Sequence, residues 1–213
     1  MKTLRIYLDT SVVGRCFDPE FAPWSTGLVE DFREGRFIPV LSDLLSLELR
    51  RAPEAVRAVH HDLLALSPEQ VTVSDSALEL LRLYEMRSVL GPKYQADMLH
   101  IALATVADVD VLVSWNFKHI VRFDKIRLFN AANLEQGYRQ LAIHSRGRLR
   151  LMETTEIRAV EMVRRIRDQF YEDTKGMSSD ELKVFIAREA ESARSELREA
   201  VDSARHLSGD SAA

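Results

Sequence analysis

Cysteine is almost absent. The one thiol, Cys16, among 213 residues excludes an intramolecular disulfide and a cysteine-based zinc cluster, and fits a reducing compartment. Glycine (8) and proline (6) are scarce, which argues against a loop-rich β architecture and for many helices. No apolar run approaches the roughly 20 residues that cross a bilayer, so no membrane association is expected. The opening stretch from Met1 reaches an acid at Asp9 before a signal-like core forms, and the expected location is the cytoplasm. A basic excess is also missing. Residues 1–151 carry 19 Lys/Arg against 19 Asp/Glu, and residues 152–213 carry 10 against 14, for a net charge of -4. No strongly basic domain advertises nucleic acid, so a polyanionic substrate would need local patches or metal ions to offset its phosphates. What remains is an ordinary globular balance, 46% hydrophobic and 29% charged, which excludes wholesale disorder.

Residues 1–145 read as alternating strands and helices. The short apolar runs Leu4–Leu8, Phe37–Leu41, Val71–Val73, Val109–Val113 and Leu141–Ile143 are separated by helical stretches near Thr26–Arg33, Pro53–Leu66 and Gln95–Val106. This pattern predicts an α/β fold with a parallel sheet covered on both faces. Ser42 and Ser74 stand where helix N-caps belong, each after a strand. The character changes after the basic join Arg146-Gly147-Arg148-Leu149-Arg150. Ile157, Val160, Val163, Ile166 and Phe170 recur at helical steps, and Gly176 ends that stripe. Ser178 and Glu181 then form a capping box, followed by a second stripe of Leu182, Phe185, Ile186, Ala190, Ala193 and Leu197. Residues 152–207 are therefore expected to form a C-terminal helical hairpin. Two amphipathic helices cannot bury their stripes alone, so they must dock on residues 1–145 or on another copy.

Three acids fall near the expected carboxyl end of the sheet, where open parallel sheets bind their ligands. Asp9 follows the first strand, Glu48 lies two turns into the helix capped by Ser42, and Asp97 opens the Gln95 helix. Brought together they would form a hard oxygen site suited to Mg2+ or Mn2+. The competing reading is a set of ordinary caps and turn residues. His60 and His61, adjacent on a helix, point in different directions and make a poor metal pair. His100, between Leu99 and Ile101, reads as a satisfied helix residue, and Cys16 as a small buried side chain.

The segment Tyr7-Leu8-Asp9-Thr10-Ser11-Val12-Val13 resembles the opening of PIN-domain proteins, the metal-dependent ribonuclease fold of VapC-type toxins. Ser46-Leu47-Glu48-Leu49 is similar to the segment of that family's second acid, and Asp97-Met98-Leu99-His100-Ile101-Ala102 to that of its third. Val111 to Ile120 resembles the part that carries the fourth polar position. The resemblance spans about residues 3–144. It implies Asp9, Glu48 and Asp97 as metal ligands and catalytic residues, with Asn116 as the fourth catalytic position and Ser11 and Ser114 in support. Many PIN domains have Asp where Asn116 stands; the amide offers a carbonyl oxygen but removes one negative charge. The implied activity is Mg2+- or Mn2+-dependent hydrolysis of RNA phosphodiesters, of toxin–antitoxin type.

More than 60 residues follow the last expected strand. Residues 152–207 resemble a small antitoxin-like helical partner joined to the same chain, docked in cis or in trans; the other reading is a dimerisation element. Arg158, Arg164, Arg165 and Arg167 then become candidates to reach the acidic cleft, and Lys118 to contact phosphate. A homo-oligomer, dimer or higher, is expected. Two rivals remain. One is a catalytically silent PIN-like RNA-binding or assembly protein whose tail mediates oligomerisation, which Asn116 favours. The other is a metal-dependent phosphatase, which the lack of a second Asp two residues after Asp9 disfavours.

Overall fold

The structure is a computed structural model that describes residues 2–145 and 158–209; of residues 158–164, Leu197 and 200–209 only the backbone is described. Five strands, β1 (Leu4–Leu8), β2 (Phe37–Ser42), β3 (Glu69–Val71), β4 (Val111–Val113) and β5 (Ile143–His144), form one parallel sheet in the order β3-β2-β1-β4-β5. Alternate residues of each strand enter opposite cores. Tyr7, Val40 and Leu112 face one, with Leu81, Leu99 and Phe129. Ile6, Leu8, Leu41 and Val113 face the other, with Val12, Leu28 and Leu63. Both faces are thus covered by helices, as the apolar strands required.

The helices of this body are α1 (Thr10–Gly14), α2 (Ala22–Arg33), α3 (Asp43–Leu49), α4 (Glu54–Ala65), α5 (Asp75–Met86), α6 (Gln95–Val106) and α7 (Phe123–Glu135). The Ser42 hydroxyl accepts from Leu45 N at 3.2 Å and caps α3; Ser74 accepts from Ala77 N at 3.2 Å and caps α5. Helix α6 is buried from Ala96 through Thr105.

Four strands differ from their expected bounds: β2 runs one residue further, to Ser42, and β5 is Ile143–His144 rather than Leu141–Ile143. β3 pairs Val71 with Ser42 and stops there, so it spans Glu69–Val71 rather than Val71–Val73. β4 starts at Val111 because Asp108 takes a left-handed turn (φ 52°) and the Asp110 carboxylate, not a strand partner's carbonyl, receives Arg5 N at 2.9 Å.

Two more helices follow, α8 (Arg158–Thr174) and α9 (Ser179–Gly209). Gly176, at φ 84°, makes the left-handed turn between them. Ser178 N donates to Glu181 Oε2 at 2.7 Å, and Glu181 N donates back to Ser178 Oγ at 3.3 Å, completing the capping box. Both helices lie on the α/β body. α8 packs against α1, α6 and the turn Pro92–Tyr94, and α9 runs along α3. Phe170, Leu182 and Ile186 join the core cluster of Tyr7 and Leu99, and Ala190 and Ala193 are buried too. Ile157, Val160, Val163 and Leu197 of the expected stripes, and Arg158 and Arg164, lie outside the described side chains. Among the described residues no helix is long and apolar enough to cross a membrane.

Candidate functional site: a carboxylate cage closed by an arginine

The sheet reverses its winding between β1 and β4, and that switch point is where a cleft opens beyond the strand ends. Asp9 leaves β1 there as the N-cap of α1, with its backbone N–H donating to Val113 O at 3.1 Å. Ser114 and Asn116 leave β4 beside it. Helix α3, which starts directly after β2, carries Glu48 to the same place, and the first turn of α6 carries Asp97. Chain topology therefore delivers five side chains from four segments into one cleft; Asp9, Glu48 and Asp97 are each at most 2% exposed.

Each carboxylate is held from behind. The Ser11 and Ser114 hydroxyls donate to Asp9 Oδ2, the latter at 2.8 Å. Ser11 Oγ accepts from Trp115 N at 2.9 Å, and Ser114 Oγ accepts from Asn116 N at 3.0 Å, so the two strand ends brace one another. The Thr10 hydroxyl donates to Glu48 Oε2, and His100 Nε2 lies 3.0 Å from the same oxygen. His100 Nδ1 is 2.8 Å from Tyr7 Oη, itself 2.8 Å from Ser42 Oγ. The Asn116 side-chain N–H donates to Asp97 Oδ1 at 2.8 Å, and His119 Nδ1 is 3.1 Å from Asp97 Oδ2.

At the centre is Arg167, on α8. Its Nη2 donates to Asp9 Oδ1 at 2.6 Å, its Nη1 pairs with Asp97 Oδ1, and its Nε lies 3.4 Å from Glu48 Oε1. The guanidinium is the residue type suited to such a place, with five donors in a planar fork that stays charged when buried. Burial lowers the Arg167 pKa, but Asp97, Asp9 and Glu48 together raise it above its ordinary value. Burial likewise pushes Asp9 and Glu48 up. Arg167, then His100, then the neighbouring hydrogen bonds outweigh it, and both carboxyls sit below their ordinary range.

Of the residues singled out from sequence, Asp9, Glu48, Asp97, Asn116, Ser11, Ser114 and Arg167 converge here. Lys118 does not enter the cage; it lines an adjoining cavity. Arg165 is exposed and makes no contact with the carboxylates. Three contributors went unread: Thr10, Tyr7 and His100. His100, read as a satisfied helix residue, is fully buried on α6 and has Glu48 and Tyr7 as its partners.

The donors suit a divalent cation in kind. All three are carboxylates, and Glu48 Oε1 and Asp97 Oδ2 are buried without completing a hydrogen bond. Among the described residues no group of three or more His, Cys, Asp and Glu is disposed to hold a metal ion. No family model, curated protein or solved structure matches the chain.

Proposed function

We propose that the chain is a Mg2+- or Mn2+-dependent endoribonuclease of PIN type, of the toxin–antitoxin kind, kept silent by its own C-terminal helical hairpin, α8 and α9. On this reading residues 1–145 are the nuclease domain and 152–207 the antitoxin-like segment. The observation that carries it is the closure of three convergent carboxylates around one guanidinium. A cluster of acids at a switch point needs a cation to be stable, and a tethered arginine supplies that charge without chemistry. Asp9, Glu48 and Asp97 would hold the ion, with Asn116 orienting Asp97. When bound, such an ion lowers the pKa of a water and neutralises charge on the phosphate. Ser11, Ser114, Thr10 and His100 keep the carboxylates aimed and ionised, so none needs to move or attack the substrate. A cytoplasmic homo-oligomer accompanies this reading.

Asn116 and the filled cage also favour a second reading, a silent RNA-binding or assembly protein whose tail serves oligomerisation. One set of variants separates the two. Arg167→Ala should bind Mn2+ by calorimetry and cleave a labelled RNA with Mn2+ but not with EDTA, and the added Asp97→Asn change should abolish both. The unaltered full chain should do neither. A folded Arg167→Ala protein that binds no Mn2+ and leaves RNA intact removes the nuclease reading.

A further inference from the structure

Closing the cage does not close everything beside it. A cavity of about 240 Å3 adjoins it and shares Ser11, Asp97, Asn116 and Arg167 with its wall. Elsewhere the wall is aromatic and charged, with Lys93, Tyr94, Phe117, Lys118 and His119 beside Arg15, Trp115 and Asp168. The Tyr94 and His119 rings lie 3.8 Å apart at 37°, forming one aromatic surface. Phe117, 41% exposed, is backed by Phe21 with ring centroids 6.1 Å apart. The exposed part of this ring leaves a face on which a planar group can stack. Lys93 lies 5.0 Å from the Tyr94 ring and has no carboxylate partner among the described residues. Lys118 makes no hydrogen bond or ion pair with any of them. Of the two acids on the wall, Asp97 is neutralised by Arg167, leaving only Asp168, exposed on α8.

We propose that this cavity is a nucleotide subsite. It takes one nucleotide of single-stranded RNA, stacking the base on its aromatic wall and placing a phosphate between Lys93 and Lys118, and it does so without a metal and with Arg167 in place. Three features select this ligand. Every base offers a π-face that an aromatic wall can bind without regard to sequence. Unpaired lysines supply the counter-charge for phosphate. The volume, about 240 Å3, falls below the roughly 300–1,000 Å3 of drug-sized ligand sites, which is room for a base and part of its ribose, with the phosphate at the mouth, and too little for a large cofactor. The inference rests on the proposed RNA substrate: a phosphodiester at the carboxylates would leave its neighbouring nucleotide at this cavity.

The test uses the full chain in EDTA, where the proposed cleavage is silent. A fluorescein-labelled RNA pentanucleotide is titrated by anisotropy, and AMP by calorimetry. Both should bind, the pentanucleotide more tightly. Phe117→Ala should weaken RNA binding by about tenfold. Lys118→Ala should lower the salt dependence of log K by about 0.7, the loss of one phosphate contact on a single strand. Both side chains are exposed, so each variant should keep the parent circular dichroism. Lys93→Glu/Lys118→Glu should abolish binding. Absence of binding in EDTA overturns the subsite, as does parent affinity in the Phe117→Ala and double-lysine variants. AMP binding with the pentanucleotide excluded would reassign the cavity to a free nucleotide and also overturn the proposal. None of these results bears on whether Arg167→Ala cleaves RNA, so the subsite and the nuclease reading fail separately.

Discussion

Removing Arg167 tests the cage most directly. In Arg167→Ala the three buried carboxylates lose the guanidinium that joins them, leaving only the imidazoles of His100, beside Asp9 and Glu48, and His119, beside Asp97, next to them. The Arg167 side chain is 10% exposed and its partners at most 1%, so water screens little of the loss. Deleting one member of a buried ion pair costs about 3–5 kcal/mol. At about 2–4 °C per kcal/mol for a chain of this size, the melting temperature should fall by about 6–20 °C. Undocking of α8 sets the ceiling, because it readmits water to the carboxylates. Mn2+ at about 100 times its Kd should return about 2.7 kcal/mol to the variant and little to the parent, whose cage is full. Scanning calorimetry with EDTA and with Mn2+ measures both effects, and Arg165→Ala, an exposed neighbour, should stay within about 0.5 kcal/mol of the parent. Equal melting temperatures for Arg167→Ala and the parent, with or without Mn2+, would refute the cage.

Stability should depend on pH with opposite signs in the parent and the variant. Asp9 and Glu48 are held below their ordinary 3.8 and 4.5, so their contribution is whole above those values and disappears as pH falls through the lower folded ones. His60, pushed down to about 4 by burial with help from His61 and Arg194, adds a loss between about pH 6.5 and 4. In Arg167→Ala burial dominates the carboxyls, raises them, and should make that protein gain stability as pH falls from about 8 to 5, read by thermal melts across pH. Ile186→Ala, at a fully buried position of α9, should cost about 2–4 kcal/mol by urea titration. Arg50→Ala should cost about 1 kcal/mol or less, because its pairs with Glu189 and Glu196 are partly solvated. Cys16, raised to about 11 by burial, should resist iodoacetamide near pH 8 in the native protein and react once guanidinium unfolds it.

The features legible in the sequence were the ones encoded locally. A hydroxyl before a helix, Ser42 or Ser178, fixes its cap within three residues, and the alternation of Tyr7 and Leu8 between two cores follows from strand geometry. Asp9 and Asp97 could be placed near the sheet's carboxyl end because the strand–helix order implies that end. His100 could not be read as a partner of Glu48. Every residue of α6 from Ala96 to Thr105 is buried, so no polar stripe marks the one side chain that meets Glu48, 52 residues away. Thr10 and Tyr7 were opaque for the same reason. Four arginines were candidates for the cleft because helix phase relative to a distant cavity is set by docking. The seating of Ile166 and Phe170 turns Arg167 inward and leaves Arg165 in solvent.

Arg167 and the carboxylates that it fills belong, in this structure, to one polypeptide. Their ratio is fixed at translation, and dilution cannot separate them. A group on the same polypeptide competes for its site intramolecularly, whatever the abundance of the protein. Two routes to an open cage are scission of the chain before α8 and a competitor that binds the cage or the docking face of α8 more tightly than the internal guanidinium does. The first is irreversible, and the second responds to ligand concentration but not to the amount of protein.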